Sequence, residues 1–204
     1  MVHHVSVPSV FAIESLASAR ILRLTSDDGT NRLTRACVVA VSTAIHEMQN
    51  QVLPLIITGN PHFFSVGADL NEIAALTGPE AYEFSLMGQA LMNAIAAYPA
   101  PVIAAIEGHC MGGGLDLALA CHRRIAAPHA VFAHRGAALG LMTGWGGTQR
   151  LPRLIGKGRA LELFVAAEKV NARRALEIGL IEVITDDPVA EASRRLAALQ
   201  GRVS

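Results

Sequence analysis

Apolar and polar positions switch between two periods along the chain. Residues 10–14 and 20–24 are short strand-forming runs separated by small residues, which predicts a hairpin. From Thr34 the apolar positions fall at Val38, Val41, Ile45 and Met48, one face of a helix that Thr34 is placed to cap. Residues 53–58 read as a buried strand closed by Gly59-Asn60-Pro61. Pro79 opens a second helix with Phe84, Met87, Leu91 and Ile95 at helical spacing. Residues 102–106 form another apolar run, ending at Gly108. After the glycine triplet 112–114, residues 115–121 are too rich in Ala and Leu for a strand and read as helix. Short strands near 124–127 and 131–134 follow, then helices from near Gly146-Gly147 and near Gly158. A strand over 181–184 precedes a last helix, started by Asp187-Pro188 through cap and first-turn chemistry. Strands alternating with helices predict an α/β fold.

Composition narrows the classes of function. A chain of 204 residues, 51% hydrophobic and only 17% charged, has material for a sizeable core and is not a disordered tail. No repeat, low-complexity stretch or linker divides it, so one domain is expected. Lys plus Arg and Asp plus Glu are 17 each, and a net charge of zero offers no general attraction to nucleic acid or anionic lipid. Pro, Gly or a charge interrupts every apolar run before the roughly 18 residues of a membrane-spanning helix. Met1-Val2-His3-His4 lacks the basic start and apolar stretch of a signal peptide. Three cysteines, Cys37, Cys110 and Cys121, have no paired spacing, so a reduced cytoplasmic setting is expected.

Several motifs fail on inspection. His46-Glu47 ends in Asn50 where a zincin helix needs a second histidine. Neither glycine cluster completes a P-loop or a dinucleotide fingerprint, and no Gly-x-Ser-x-Gly elbow occurs. His109-Cys110 and Cys121-His122 lack the paired spacing of a zinc set, so no metal is expected. Two glycine-containing segments remain, 63–70 (Phe-Phe-Ser-Val-Gly-Ala-Asp-Leu) and 108–116 (Gly-His-Cys-Met-Gly-Gly-Gly-Leu-Asp). Each follows a predicted strand, and glycine lets the backbone N–H approach a ligand closely. In the second segment a helix start adds positive potential. Two such amides converging on one oxygen would form an oxyanion hole; spacing alone fits ordinary tight turns equally well.

Together these segments resemble the crotonase superfamily, the enoyl-CoA hydratase/isomerase family. Asn31-Arg32-Leu33, residues 101–108 (Pro-Val-Ile-Ala-Ala-Ile-Glu-Gly) and residues 144–152 (Gly-Trp-Gly-Gly-Thr-Gln-Arg-Leu-Pro) add to the resemblance. Ala172 with residues 175–181 completes an ordered series over roughly residues 8–190. The resemblance implies a crotonase-like ββα spiral core, a homotrimer or hexamer, and a coenzyme A thioester as substrate or ligand without a permanently bound cofactor. It implies that the backbone N–H groups of Ala68 and Gly113 bind the thioester oxygen, with Val66, Asp69, Leu70 and Gly112 around the ligand. Asp69 follows the alanine, where bonding to local backbone is favoured over catalysis. The core is expected over 1–187. Residues 188–204 correspond to the start of a C-terminal helical region that family members continue, so apolar surface otherwise covered by those helices would favour oligomers.

The pattern departs from the family at the acids. Hydratases of the family use two glutamates; the first position is Asp116 here, one methylene shorter, and the second is Gly136. No Asp or Glu lies between Asp116 and Glu162, so water addition by two carboxylates is disfavoured. Asp116 is the best acid–base candidate, against a purely structural pairing with Arg123 or Arg124. His134 and Arg135 could contact a substrate carboxylate, as in a decarboxylase, or simply expose polar groups at a strand end. Gly136 could leave space for an anion acting as base. Naphthoate synthases of the superfamily recruit bicarbonate there, but they carry an aspartate where this chain has Thr143. Seven positive charges between 117 and 161 could face coenzyme A phosphates; solvated helix faces and pairs with Glu162 or Glu168 are favoured. The expected function is enolate stabilisation in an isomerase, decarboxylase or weak hydratase. The alternatives are a non-catalytic acyl-CoA or acyl-carrier binding protein and an assembly subunit. The acyl pocket is expected to depend on side chains such as Leu70, Ile73, Leu86, Leu139 and Met142.

Overall fold

A computed structural model describes residues 10–200. The Met1–His4 start and the last residues, 201–204, on which sequence expectations were also placed, lie outside the described residues. The chain opens with the expected hairpin, β1 (Phe11–Ser15) and β2 (Arg20–Leu24), paired antiparallel. A two-residue strand, β3 (Arg32–Leu33), leads into α1 (Arg35–Met48), whose Thr34 side chain accepts the Cys37 N–H at 3.1 Å. Val38, Val41, Ile45 and Met48 are all buried, as the periodicity requires.

β4 (Leu55–Thr58) is followed by β5 (Phe63–Ser65), β6 (Gly67–Ala68) and the short α2 (Leu70–Ala74). α3 (Gly78–Ala96) begins with a capping box between Thr77 and Glu80 and a proline in its first turn. β7 (Val102–Ile106), β8 (His109–Met111), α4 (Gly113–Ala120), β9 (Arg123–Ala126) and β10 (Val131–Ala133) continue the alternation. After a 3-10 turn at Gly136–Leu139 come α5 (Gly147–Ile155), α6 (Lys157–Ala166), β11 (Val170–Asn171) and α7 (Ala172–Glu177). β12 (Val183–Ile184) and α8 (Pro188–Gln200) close the described chain, and the Asp187 carboxylate accepts the Ala190 N–H at 2.9 Å.

The main sheet has the order β1-β2-β4-β7-β9-β12 and is parallel except for the hairpin. A second sheet runs β11-β10-β8-β5, and β3 pairs with β6 alone. The chain therefore steps repeatedly from a main-sheet strand to a second-sheet strand to a helix: β4 to β5, then β7 to β8 to α4, then β9 to β10. This is a crotonase-like ββα spiral. Both faces of the main sheet are covered, and the alternation along β7 shows it. Val102, Ala104 and Ile106 join the large core, whereas Ile103 and Ala105 meet Ala192 and Leu196 of α8.

Two sequence expectations change. Segments 63–70 and 108–116 are not plain loops, since β5, β6 and β8 lie within them; two- and three-residue strands leave too little alternation to read. The seven cations do not pair with Glu162 or Glu168. Arg123 pairs with Glu182 at 2.7 Å, and the buried Arg124 donates to the carbonyls of Leu180 and Cys121, both at 2.9 Å.

Candidate active site

The ends of β4 and β7 place the two glycine segments side by side, because these strands are neighbours in parallel register, Thr58 opposite Ala105. Asn31 locks the first segment from below. It is buried, holds a positive φ of 54°, and donates from Nδ2 to the carbonyls of Phe63 (2.8 Å) and Phe64 (3.3 Å). Ser65 donates to the Asn31 carbonyl at 2.7 Å and accepts the Gly67 N–H at 3.0 Å. Gly67 then takes φ of +88°, and a Cβ there would lie 2.6 Å from the Met111 carbonyl and 2.7 Å from the Gly113 nitrogen. The two segments thus pack backbone on backbone.

Gly113 is the first residue of α4, so its N–H has no acceptor within the helix. A Cβ on Gly113 would sit 3.2 Å from the Ala68 nitrogen and 2.6 Å from the Trp145 ring. Backbone amides of Ala68 and Gly113 therefore share one wall of a cavity, with the buried Trp145 indole behind them. The cavity measures about 610 Å³. Leu70, Ile73, Phe84, Leu139, Met142 and Phe164 supply much of its apolar surface, and Val66 and Gly112 flank the amides. Leu86 does not line it; that side chain is exposed on α3, two residues from the inward-facing Phe84 and so on the opposite face of the helix. Asp69 does not line it either. Its carboxylate caps α2, accepting from Asn71 N at 2.7 Å and Glu72 N at 3.3 Å, with Arg32 at 3.6 Å.

Asp116 is the single acid among the lining residues and is 1% exposed. Its partners are not Arg123 or Arg124, which are committed elsewhere and leave from the far end of α4. The Thr143 hydroxyl donates to Asp116 Oδ2, and His134 Nε2 stands 3.3 Å from Oδ1. His134 is not at an exposed strand end: it is 4% exposed, its ring 5.1 Å from that of Phe164. Arg135, next along, is exposed at the cavity mouth. Arg150 of α5 contributes a positive charge felt at Asp116, while its guanidinium donates to the Trp145 carbonyl (3.1 Å) and Asn93 (2.6 Å). Burial pulls Arg150 below the ordinary arginine value, and the Asp116 charge opposes that shift.

Gly136 is not simply an open space. A Cβ there would lie 2.6 Å from the Leu141 carbonyl oxygen, because residues 136–141 fold back and Leu141 N–H donates to the Gly136 carbonyl at 2.8 Å. A bound anion in the direction of a missing side chain is therefore blocked by backbone. Sequence reasoning missed His134 as the partner of Asp116, and it missed Gly147. An added Cβ at Gly147 would come within 2.1 Å of Asp116 Oδ1 and 3.1 Å of His134 Nε2. The one available signal was that His134, Thr143 and Gly147 cluster in the acid-free interval. Among the described residues no group of three or more His, Cys, Asp or Glu could hold a metal ion, and no helix is long and apolar enough to cross a membrane.

Fold and site together define a spiral α/β protein with paired backbone amides over an apolar cavity. Comparison with known proteins places it. Residues 17–200 match the family model described as enoyl-CoA hydratase/isomerase, and the chain belongs to that family, within the crotonase superfamily. A Bacillus subtilis (strain 168) protein named as a probable enoyl-CoA hydratase is 41% identical over 175 residues, spanning 82% of this chain and 67% of that one. The structure of Pseudomonas aeruginosa DspI superposes with a TM-score of 0.86 at 34% identity, covering 95% of this chain and 80% of the other. An enoyl-CoA hydratase structure from Thermoplasma volcanium gives 0.88 at 30% identity, with coverages of 93% and 77%.

Proposed function

We propose that the chain is an enzyme acting on an enoyl thioester of coenzyme A, and that it shifts a proton at the α-carbon. In this reading the thioester oxygen takes hydrogen bonds from the N–H groups of Ala68 and Gly113. In a 3-enoyl thioester the C2–H bond breaks towards Asp116, its electron pair passes into the dienolate, and the same carboxyl returns the proton to C4, leaving the double bond between C2 and C3. One oxyanion donor is worth about 2.7–4 kcal/mol of transition-state stabilisation. The observation that carries the reading is the solitary acid: Asp116 is buried against Thr143 and His134 beside the amide pair, while Gly136 contributes backbone only. One carboxylate suffices for a proton shift; activating a water needs a second group. Decarboxylation is less well supported, because His134 faces Asp116 rather than a substrate carboxylate. Leu161 and Val165, exposed on α6, support the homo-oligomer that the resemblance implies.

The test is incubation with enoyl-CoA esters in D₂O, followed by mass spectrometry. Deuterium at the α-carbon or a shifted double bond is expected, lost by roughly 100-fold or more in Asp116→Ala. Unlabelled, unshifted ester recovered from a protein that binds it would replace this reading with that of a thioester-binding module.

A further inference from the structure

Among the described residues four buried side-chain polar atoms have no hydrogen-bond partner, on Asn31, His109, Asp116 and His134, and two of them face one another: Asp116 Oδ1 and His134 Nε2, 3.3 Å apart. They come from different elements, α4 and the end of β10, and neither is at a surface where water would satisfy it. Leaving a carboxylate oxygen and an imidazole nitrogen buried and unpaired is costly, so the arrangement calls for a reason. The rest of the neighbourhood is built around the contact. Thr143 holds the other oxygen of Asp116, and Phe164 lies against the His134 ring. Gly147 has no side chain at the one place where a Cβ would press on both atoms. Cations do not take the place of His134: Arg150, whose charge reaches Asp116, donates to Trp145 and Asn93, and Arg135 is exposed at the cavity mouth.

We propose that His134 is the positioning residue of Asp116. It donates Nε2–H to Oδ1, with Thr143 donating to Oδ2, so that the short aspartate side chain is fixed in the orientation from which it takes the proton. Hydrogen bonds of this kind are often long without ligand and tighten when the cavity is filled. The inference deepens the proton-transfer reading above and rests on it for the kinetic part of its test. It also names Gly147 as the residue whose absent side chain makes the contact fit.

The experiment compares His134→Phe and His134→Gln, each alone and combined with Asp116→Asn, using enoyl-CoA turnover and direct titration of the thioester. Glutamine keeps an N–H donor; phenylalanine keeps bulk and the packing on Phe164 but no donor. The expected result is a kcat roughly 10–100-fold lower in His134→Phe with KM within about twofold, and a return to within about fivefold of the parent in His134→Gln. In the Asp116→Asn background, His134→Phe should cost nothing further. Equal losses in the Phe and Gln variants, or an undiminished His134 effect without the Asp116 carboxylate, would overturn the proposal. A readout free of turnover is the ¹⁵N spectrum of the His134 imidazole in the full-length protein. It should show Nε2 protonated and hydrogen-bonded, with a resonance that moves in Asp116→Asn. A resonance indifferent to that substitution refutes the pairing. A parent protein without turnover sinks the proton-transfer reading, and the spectrum then decides the contact by itself.

Discussion

Restoring the second glutamate of the family, Gly136→Glu, would look from the sequence like a direct route to a hydratase. The structure predicts that it fails. The new Cβ would sit 2.6 Å from the Leu141 carbonyl oxygen, about 0.8 Å inside ordinary van der Waals contact. Relief requires residues 136–141 to open, which breaks the 2.8 Å hydrogen bond from Leu141 N–H to the Gly136 carbonyl. Losing that bond costs about 0.5–1.5 kcal/mol, and crowding a packed position typically about 1–3 kcal/mol. For a domain of this size each kcal/mol lowers Tm by about 2–4 °C, so a fall of roughly 3–18 °C is expected. Gly136→Ala should show much of the same loss, since the clash is at Cβ. The assay pairs thermal unfolding with hydration of crotonyl-CoA, followed as loss of the conjugated thioester and appearance of the 3-hydroxyacyl product. No new hydration is expected. A variant that melts like the parent and hydrates crotonyl-CoA at a substantially higher rate would refute the argument, because the segment would then accept a side chain without cost.

Four further predictions follow from local geometry. Gly147→Ala forces a methyl group within 2.1 Å of Asp116 Oδ1; displacing the carboxylate by about 1 Å should cut turnover roughly 100-fold, with thioester affinity, read by calorimetry, little changed. Gly88→Ala places a methyl group 2.1 Å from the Trp145 indole, and thermal unfolding should report a loss of about 1–3 kcal/mol. The Cys37 and Cys121 thiols are pushed up by burial to about 11 and about 12, and Cys110 is held well above the ordinary thiol value, first by burial and then by its neighbours Cys121 and Asp116. All three should stay unreactive to a thiol reagent at neutral pH until the protein is unfolded in denaturant. Asp28 is held down to about 2, first by the Thr30 N–H and then by the Thr30 and Ser26 hydroxyls. Its contribution to stability is present above the ordinary value of 3.8 and is lost as pH falls through about 2; Asp28→Asn should flatten acid unfolding in that window.

Much of the scaffold was legible because its signals are local. Thr34, Pro79 and Asp187 carry their caps and first turns in the sequence, and the apolar run of β7, closed by Gly108, reads as a strand. The candidate amides were reached through resemblance, since Gly67-Ala68 and Gly113 look like many other turns. What stayed hidden is what depends on distant pairs. Asp116 and His134 are joined by two sheets and a helix, and a buried contact between residues so far apart leaves no periodicity. Gly136 misled for a related reason, because an absent side chain reads as space until the folded-back Leu141 carbonyl is seen to occupy it.

The parallel register of β4 and β7 has a consequence for redesign. Ala68 and Gly113 keep their spacing because the strands behind them cannot slip: one residue of shift moves a loop by about 3.3 Å and exchanges the side chains packed on the two buried faces. The amide pair is thus a property of the sheets. The acid's surroundings are separable from it, since His134, Thr143 and Gly147 all fall in the single stretch 134–147. A combinatorial library confined to that stretch, with Trp145 held fixed, would vary the acid's surroundings over one unaltered pair of amides.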